Sequence, residues 1–294
     1  MTHPVRPRMV SADGVPMSAL VAEVPDPRAV VVALHGGGTT SLYFDCPGRP
    51  ELSLLQIGAE LGYTVIALDR PGYGSSALYP EAMAEPAQRV QLAYRAVDRI
   101  LGERPRGAGL FVLGHSNGCE LAVRMAADDR GTELLGLELA GTGLRYRGAA
   151  RDALSSAGPG ERPTGLRELL WEPASLYPDA VLRGITNSSS GAPYEADMVA
   201  DWPRRDFPEL AGRIRIPVRF TFAEHEKVWE SDPAAQRAIR DIFTAAPSFT
   251  GNDQPDAGHN ISLGFSAPDY HRSVLSFVND CAATAVGAPD SEVR

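Results

Sequence analysis

Cysteine is scarce in this sequence. Cys46, Cys119 and Cys281 are the only three in 294 residues; they are far apart, and no two form a CxxC pair. A disulfide framework needs paired cysteines and a structural zinc site needs closely spaced ones, so the three are read as reduced, small apolar fillers. Lysine is scarcer still: Lys227 stands alone, and every other basic side chain apart from histidine is arginine. Basic residues as a whole are outnumbered, 28 Lys and Arg against 37 Asp and Glu, for a formal net charge of -9. A nucleic-acid binder requires a basic face to neutralise phosphates, and this balance does not supply one. Long hydrophobic runs are missing too. No stretch approaches the roughly 20 apolar residues of a membrane helix, and the opening MTHPVRPRMVSADG has no apolar signal core. The expectation is a cytoplasmic protein with neither nucleic acid nor membrane as partner. Phosphate-loop and dinucleotide glycine patterns are absent, as is metal-ligand spacing of histidines, so no cofactor and no metal is expected.

What is present is ordinary globular material, 44% hydrophobic and 22% charged, enough for a sizeable core. The first segment reads as two antiparallel strands turned at Asp13-Gly14. The run Ala29 to Leu34 is continuously apolar rather than alternating, as a strand buried on both faces requires. From there strands and helices alternate. PELSLLQIGAELGY reads as a helix with Leu52, Leu55 and Ile57 buried, and TVIALD as a strand. PAQRVQLAYRAVDRILGER is a helix with Val90, Tyr94, Val97 and Leu101 at helical spacing. GLFVL, ELLGLELAG and IPVRFTF are buried strands, PSFTGND a short one, and CELAVRMAADD, DPAAQRAIRDIFTAA and DYHRSVLSFVNDCAATA helices. This rhythm predicts an α/β fold, a mostly parallel, doubly wound sheet of about eight strands with helices on both faces. Ligands on such sheets sit beyond the carboxyl ends of the strands.

Residues 142–212 break the rhythm, being rich in Pro, Gly, Ser and Arg with scattered aromatics. The stretch is too long for a connecting loop. It is read as a helical cap inserted into a core made of residues 1–141 and 213–294. The tail after Ala285 reads as frayed.

One pentapeptide carries chemistry. Gly114-His115-Ser116-Asn117-Gly118 follows a buried strand and opens a helix. A serine at the apex of so sharp a turn takes a strained backbone conformation. Its neighbours two positions away must lack side chains, or strand and helix would collide. The helix N-terminus lends partial positive charge near the hydroxyl.

With this motif in place the sequence resembles the α/β-hydrolase superfamily, from about Ala29 to the final helix apart from the insertion. His35-Gly36-Gly37-Gly38 follows the early strand, where the family places half of its oxyanion hole, and DRPGYGSS at Asp69 to Ser76 resembles its next turn. The resemblance implies a triad in the order serine, acid, histidine. Downstream of Ser116 the histidines are His225, His259 and His271. His225 directly follows a strand in the acid's territory, and His271 reads as a solvated residue of the last helix. His259, on a loop after the last short strand, stands where the family's base resides. The family's acid sits three residues past the small residue ending the penultimate strand, which points to Glu226 after Ala223. Glu224 competes for that role, and Asp253 and Asp256 are further candidates. No acid closely follows GLELAG, the family's other location for it. The oxyanion donors implied are the N–H groups of Asn117 and Gly37, with Gly38 as the alternative to Gly37.

The implied activity is that of a serine hydrolase cleaving an ester, thioester or lactone through an acyl-enzyme on Ser116. The alternative is a non-hydrolytic acyl-transferase, cyclase or lyase on the same triad, since both share the first half-reaction. Trp171, Tyr177, Tyr194 and Trp202 of the cap are candidate lining residues for a small-molecule acyl substrate. Arg145, Arg147 and Arg151 form a small basic cluster, read as a solvated face.

Overall fold

The computed structural model of the protein describes residues 3–156, 165–184 and 191–287. A hairpin opens the chain. Strands β1 (Val5–Ala12) and β2 (Val15–Ala22) turn at Asp13 and Gly14, both at positive φ. Then follow β3 (Val30–Leu34), β4 (Thr64–Leu68), β5 (Leu110–His115), β6 (Leu134–Ala140), β7 (Val218–Ala223) and β8 (Phe249–Gln254). They form one eight-stranded sheet in the order β1-β2-β4-β3-β5-β6-β7-β8. β2 runs antiparallel to both its neighbours, and every pair from β4 to β8 is parallel.

Helices α1 (Leu42–Asp45) and α2 (Leu54–Glu60) lie between β3 and β4, α3 (Pro86–Leu101) between β4 and β5, and α4 (Gly118–Ala127) between β5 and β6. The insertion between β6 and β7 carries α5 (Gly148–Ser156), α6 (Leu166–Leu170), α7 (Asp179–Gly184), α8 (Glu195–Asp201) and α9 (Phe207–Ala211). α10 (Pro233–Ile242) connects β7 to β8, and α11 (Ala267–Gly287) ends the described chain. The helix expected over PELSLLQIGAELGY is shorter, because the Ser53 hydroxyl accepts the Gln56 N–H and caps α2 there. Of the tail, α11 continues to Gly287 and the remainder lies outside the described residues.

Side chains alternate across a strand, so each central strand feeds two cores. Val30, Val32 and Leu34 pack with Val90, Val97, Leu121 and Met125 from α3 and α4. Val31 and Ala33 pack with Leu55 and Ile57 of α2 and Val274 and Val278 of α11. Each such valine or leucine, fully withdrawn from water, contributes roughly 1.5–3 kcal/mol before entropy is set against it. Among the described residues no helix is long and apolar enough to cross a membrane.

The parallel pairing brings the loops after β3, β4, β5, β7 and β8 to one edge of the sheet. Ser116, Glu226, His259 and the glycines 36–38 lie on these loops, whereas Asp253 falls within β8 and His271 within α11.

Candidate active site

Ser116 follows the last residue of β5 and has φ of 52°, the left-handed region that non-glycine residues rarely occupy. Two contacts hold it there: its N–H donates to Ala140 O at 2.9 Å, and its carbonyl accepts the Cys119 N–H at 2.9 Å. The flanking glycines leave no room for a side chain. A Cβ on Gly114 would come within 2.8 Å of Ala122 Cβ, and one on Gly118 within 2.2 Å of the Leu34 carbonyl oxygen. The elbow is therefore wedged between β3, β5 and α4.

The loop after β8 brings His259 to it. His259 Nε2 lies 3.1 Å from Ser116 Oγ, and the other ring nitrogen, Nδ1, faces Glu226 Oε2 at 3.0 Å and Oε1 at 3.1 Å. Histidine and acid are both buried. The two loops are zipped together by backbone bonds, Glu224 N to Gln254 O at 3.1 Å and His225 N to Ala257 O at 2.9 Å. Glu226 also accepts the Val228 N–H at 2.7 Å. Burial alone would raise its carboxyl pKa; the His259 charge and these hydrogen bonds outweigh it and hold the group below the usual carboxylate value. Among the acid candidates, Glu226 is the one the structure brings to His259. Glu224 is exposed and accepts the Asp256 N–H at 2.9 Å. Asp253 accepts from Gln236 at 2.8 Å.

The glycine loop after β3 passes beside the elbow. A Cβ on Gly36 would meet Ser116 Cβ at 3.1 Å, and one on Gly37 would meet the Asn117 side-chain nitrogen at 2.7 Å. The Gly38 N–H is already engaged, donating to the Tyr73 hydroxyl at 3.1 Å. That leaves Gly37 better suited than Gly38 to offer a donor. The neighbouring histidines are spacers. His35 Nε2 accepts the Arg70 N–H at 3.1 Å while Nδ1 donates to Gly36 O at 2.8 Å. His115, stacked on Tyr43 with ring centroids 4.4 Å apart, donates Nε2–H to the His259 carbonyl at 2.8 Å. Burial, reinforced by His259, pushes the His115 pKa down to about 3, so it stays neutral.

The insertion between β6 and β7 reaches the loops after β4, β7 and β8. Tyr146 forms an antiparallel bridge with Trp229 and stacks on it at 4.0 Å, bracing the segment just past Glu226. The Tyr177 hydroxyl accepts the Asn260 N–H at 3.2 Å, beside His259, and Trp171 packs edge-on to Tyr177 at 5.1 Å. The Tyr194 hydroxyl donates to Pro71 O at 2.8 Å, and Arg89 lies over its ring. Trp202 is buried, stacks on Phe207 and donates to Thr142 Oγ1 at 3.0 Å. All four expected lining aromatics thus make packing contacts within the protein, and three of them have their polar atom satisfied by it. Arg145 pairs with Glu230 at 2.6 Å and Arg147 donates to Trp229 O at 3.1 Å, while Arg151 is exposed near Asp152.

Two findings lay beyond the sequence. Arg70, Tyr73 and Glu195 form a buried polar cluster: Arg70 Nη2 contacts Glu195 Oε1 at 2.6 Å and the Tyr73 hydroxyl donates to Glu195 Oε2 at 2.6 Å. Only the tyrosine and arginine stood in a motif; the glutamate, 125 residues from Arg70, gave no local signal. The other is His271, expected to be solvated. It is fully buried in α11, and among the described residues neither of its ring nitrogens has a hydrogen-bond partner. Helical periodicity alone did not distinguish its inward face. As for metals, Glu224, His225 and Asp256 bring ligand atoms within 4.8 Å of one another, but on a largely exposed corner outside the serine's loop.

The model of the alpha/beta hydrolase family matches residues 31–270, the span from the second residue of β3 into α11. This chain belongs to the alpha/beta hydrolase family. No curated protein matches the hydrolase significantly. Among solved structures it is similar to a lipase in its open form, at 19% identity and a TM-score of 0.65, covering 95% of this chain and 99% of the lipase. A thioesterase domain from the curacin biosynthetic pathway aligns at 18% identity and a TM-score of 0.60 over 94% of this chain and 99% of that domain. An esterase from Exiguobacterium antarcticum aligns at 16% identity and a TM-score of 0.65 over 92% and 98%. At these identities the likeness of the hydrolase to each is one of fold.

Proposed function

We propose that this hydrolase cleaves a small-molecule ester, thioester or lactone through an acyl-enzyme on Ser116. The observation that carries the reading is the line Ser116 Oγ, His259 ring, Glu226 carboxylate, with 3.1 Å on one side of the imidazole and 3.0 Å on the other. In this reading His259 Nε2 takes the hydroxyl proton as Ser116 attacks the carbonyl carbon. Glu226, ionised, accepts Nδ1–H and so fixes the tautomer whose Nε2 lone pair faces the serine. The N–H groups of Asn117 and Gly37 receive the developing oxyanion; losing one such donor typically costs about 10²–10³ in rate. His259 then returns the proton to the leaving group, and a water activated by the same nitrogen releases the acid. No metal or cofactor takes part in these steps.

The test combines a fluorophosphonate probe, with peptide mapping of the adduct, and turnover of p-nitrophenyl acetate. Labelling is expected at Ser116, with repeated turnover, and Ser116→Ala is expected to lose on the order of 10⁴–10⁶-fold in kcat with its fold intact. A burst of one equivalent followed by a stall would favour acyl transfer or cyclisation over hydrolysis. A folded protein with neither label nor burst would remove the triad reading altogether.

A further inference from the structure

We infer that Glu195, on the cap helix α8, is a positioning residue that sets the oxyanion loop through Arg70 and Tyr73, so that binding of the carbonyl oxygen requires a seated cap. The inference rests on the proposed role of the Gly37 N–H.

A peptide unit is planar and its C=O and N–H point in opposite directions. The Gly37 N–H belongs to the same unit as the Gly36 carbonyl, so whatever fixes that carbonyl aims the N–H. Arg70 Nη2 donates to Gly36 O at 3.0 Å, joined there by His35 Nδ1 at 2.8 Å. The next unit, Gly37–Gly38, is fixed from the other side by the Tyr73 hydroxyl, which accepts the Gly38 N–H at 3.1 Å. Three consecutive glycines have little conformational preference of their own, so these external contacts decide which way their peptides face.

Both of those side chains end on one carboxylate. A single nitrogen, Arg70 Nη2, bridges Gly36 O and Glu195 Oε1, at 3.0 and 2.6 Å. The Tyr73 hydroxyl, accepting from Gly38 N, gives its own proton to Glu195 Oε2 at 2.6 Å. Arg70 is fully buried and Glu195 nearly so. Burial alone would lower the Arg70 pKa, but the Glu195 charge outweighs it and the guanidinium stays protonated. The carboxylate itself sits against the loop, 3.4 Å from where a Gly37 Cβ would be. A buried guanidinium deprived of its counter-charge has reason to move, and its movement would release the Gly36 carbonyl. Glu195 is held in turn by the cap: it begins α8, and the preceding Tyr194 is fixed to Pro71 O and to Arg89. The insertion thus reaches the chemistry through backbone orientation.

The experiment measures steady-state kinetics with p-nitrophenyl acetate, and affinity for phenylboronic acid, which forms a tetrahedral adduct on an active serine. Glu195→Ala, Tyr73→Phe and Ser116→Ala are compared with wild type. Expected for Glu195→Ala is a kcat loss of about 10–10²-fold, a weakening of boronate binding in the same proportion, and KM within about threefold; this is part or all of the loss of one oxyanion donor. Tyr73→Phe, which deletes one oxygen and no charge, should lose about tenfold in kcat. Unchanged kcat in folded Glu195→Ala overturns the inference, as does a rise in KM alone, which would mean that Glu195 only shapes the entrance. If Glu195→Ala does not fold, Tyr73→Phe decides: a kcat drop with parallel boronate weakening supports the inference, and wild-type kinetics overturn it. Ser116→Ala separates the two layers. Activity retained there removes the triad reading and this inference with it, whereas an inactive Ser116→Ala beside a fully active Glu195→Ala removes the inference alone.

Discussion

Glu226 is buried with both carboxylate oxygens against the His259 ring, whereas Glu224, two residues earlier, is 54% exposed and turned to the backbone of Asp256. The turn closed by the Glu226 N–H on Ala223 O makes the difference, folding the chain back so that the second glutamate points under the histidine loop. Replacing Glu226 with glutamine puts an amide where the carboxylate was. The amide can donate to Nδ1 and so favour the tautomer that carries its proton on Nε2, which cannot accept one from Ser116. Glu226→Gln is therefore expected to lower kcat about 10³–10⁴-fold, while Glu224→Gln stays within about twofold. Equal, mild effects in both would leave the ester-cleaving reading without its acid. The depressed pKa of Glu226 also ties it to stability: its contribution is whole above the ordinary carboxylate range and is lost as pH falls through its folded value.

At the level of elements, what could be read from sequence was what local repetition encodes. The central strands were legible because burial on both faces leaves continuous apolar runs such as Val30–Leu34, and the elbow because its strain forces glycine at fixed offsets from Ser116. The pairings of Glu195 with Tyr73 and of Tyr177 with the Asn260 N–H were not legible, since they join distant loops to an insertion without periodicity, and nothing in a Pro- and Gly-rich stretch marks which side chain turns inward. The glycine requirement itself is testable. A Cβ on Gly118 would lie 2.2 Å from Leu34 O and 2.5 Å from His35 O, both backbone atoms that cannot swing aside. Gly118→Ala must push α4 away from the end of β3, and destabilisation of about 1–3 kcal/mol or more is expected. A lower denaturant midpoint at unchanged m-value would show it; a wild-type midpoint would mean that α4 and the end of β3 separate at this point without cost. Because the same loop continues into Gly36 and Gly37, activity should fall further than stability.

Across the whole molecule, three buried histidines make stability depend on pH. His35, His115 and His271 are enclosed on every side, and burial pushes their pKa values down, to about 3 for His115 and His271, with Arg272 adding to the effect at His271. An unfolded histidine titrates near 6.5. Between that value and the folded one, the unfolded chain holds a proton that the folded chain lacks, so acid favours unfolding. Stability is whole above about 6.5 and drains as pH falls toward 3, each histidine contributing up to about 1.4 kcal/mol per pH unit. Glu138, whose buried carboxyl is raised by desolvation, works in the opposite sense, so the summed slope alone would not isolate any one group. A comparison of two proteins does. His271 has no described hydrogen-bond partner to lose, unlike His35 and His115, and leucine fills a similar volume. His271→Leu is expected to raise stability at pH 7 by about 1 kcal/mol, because it removes unsatisfied buried polar atoms. It should also flatten the dependence of unfolding free energy on pH, measured by denaturant titration between pH 6.5 and 5, by up to about 1.4 kcal/mol per unit. Parallel pH curves for the two proteins would mean that His271 takes up its proton while folded, and that α11 opens around it well before the sheet unfolds.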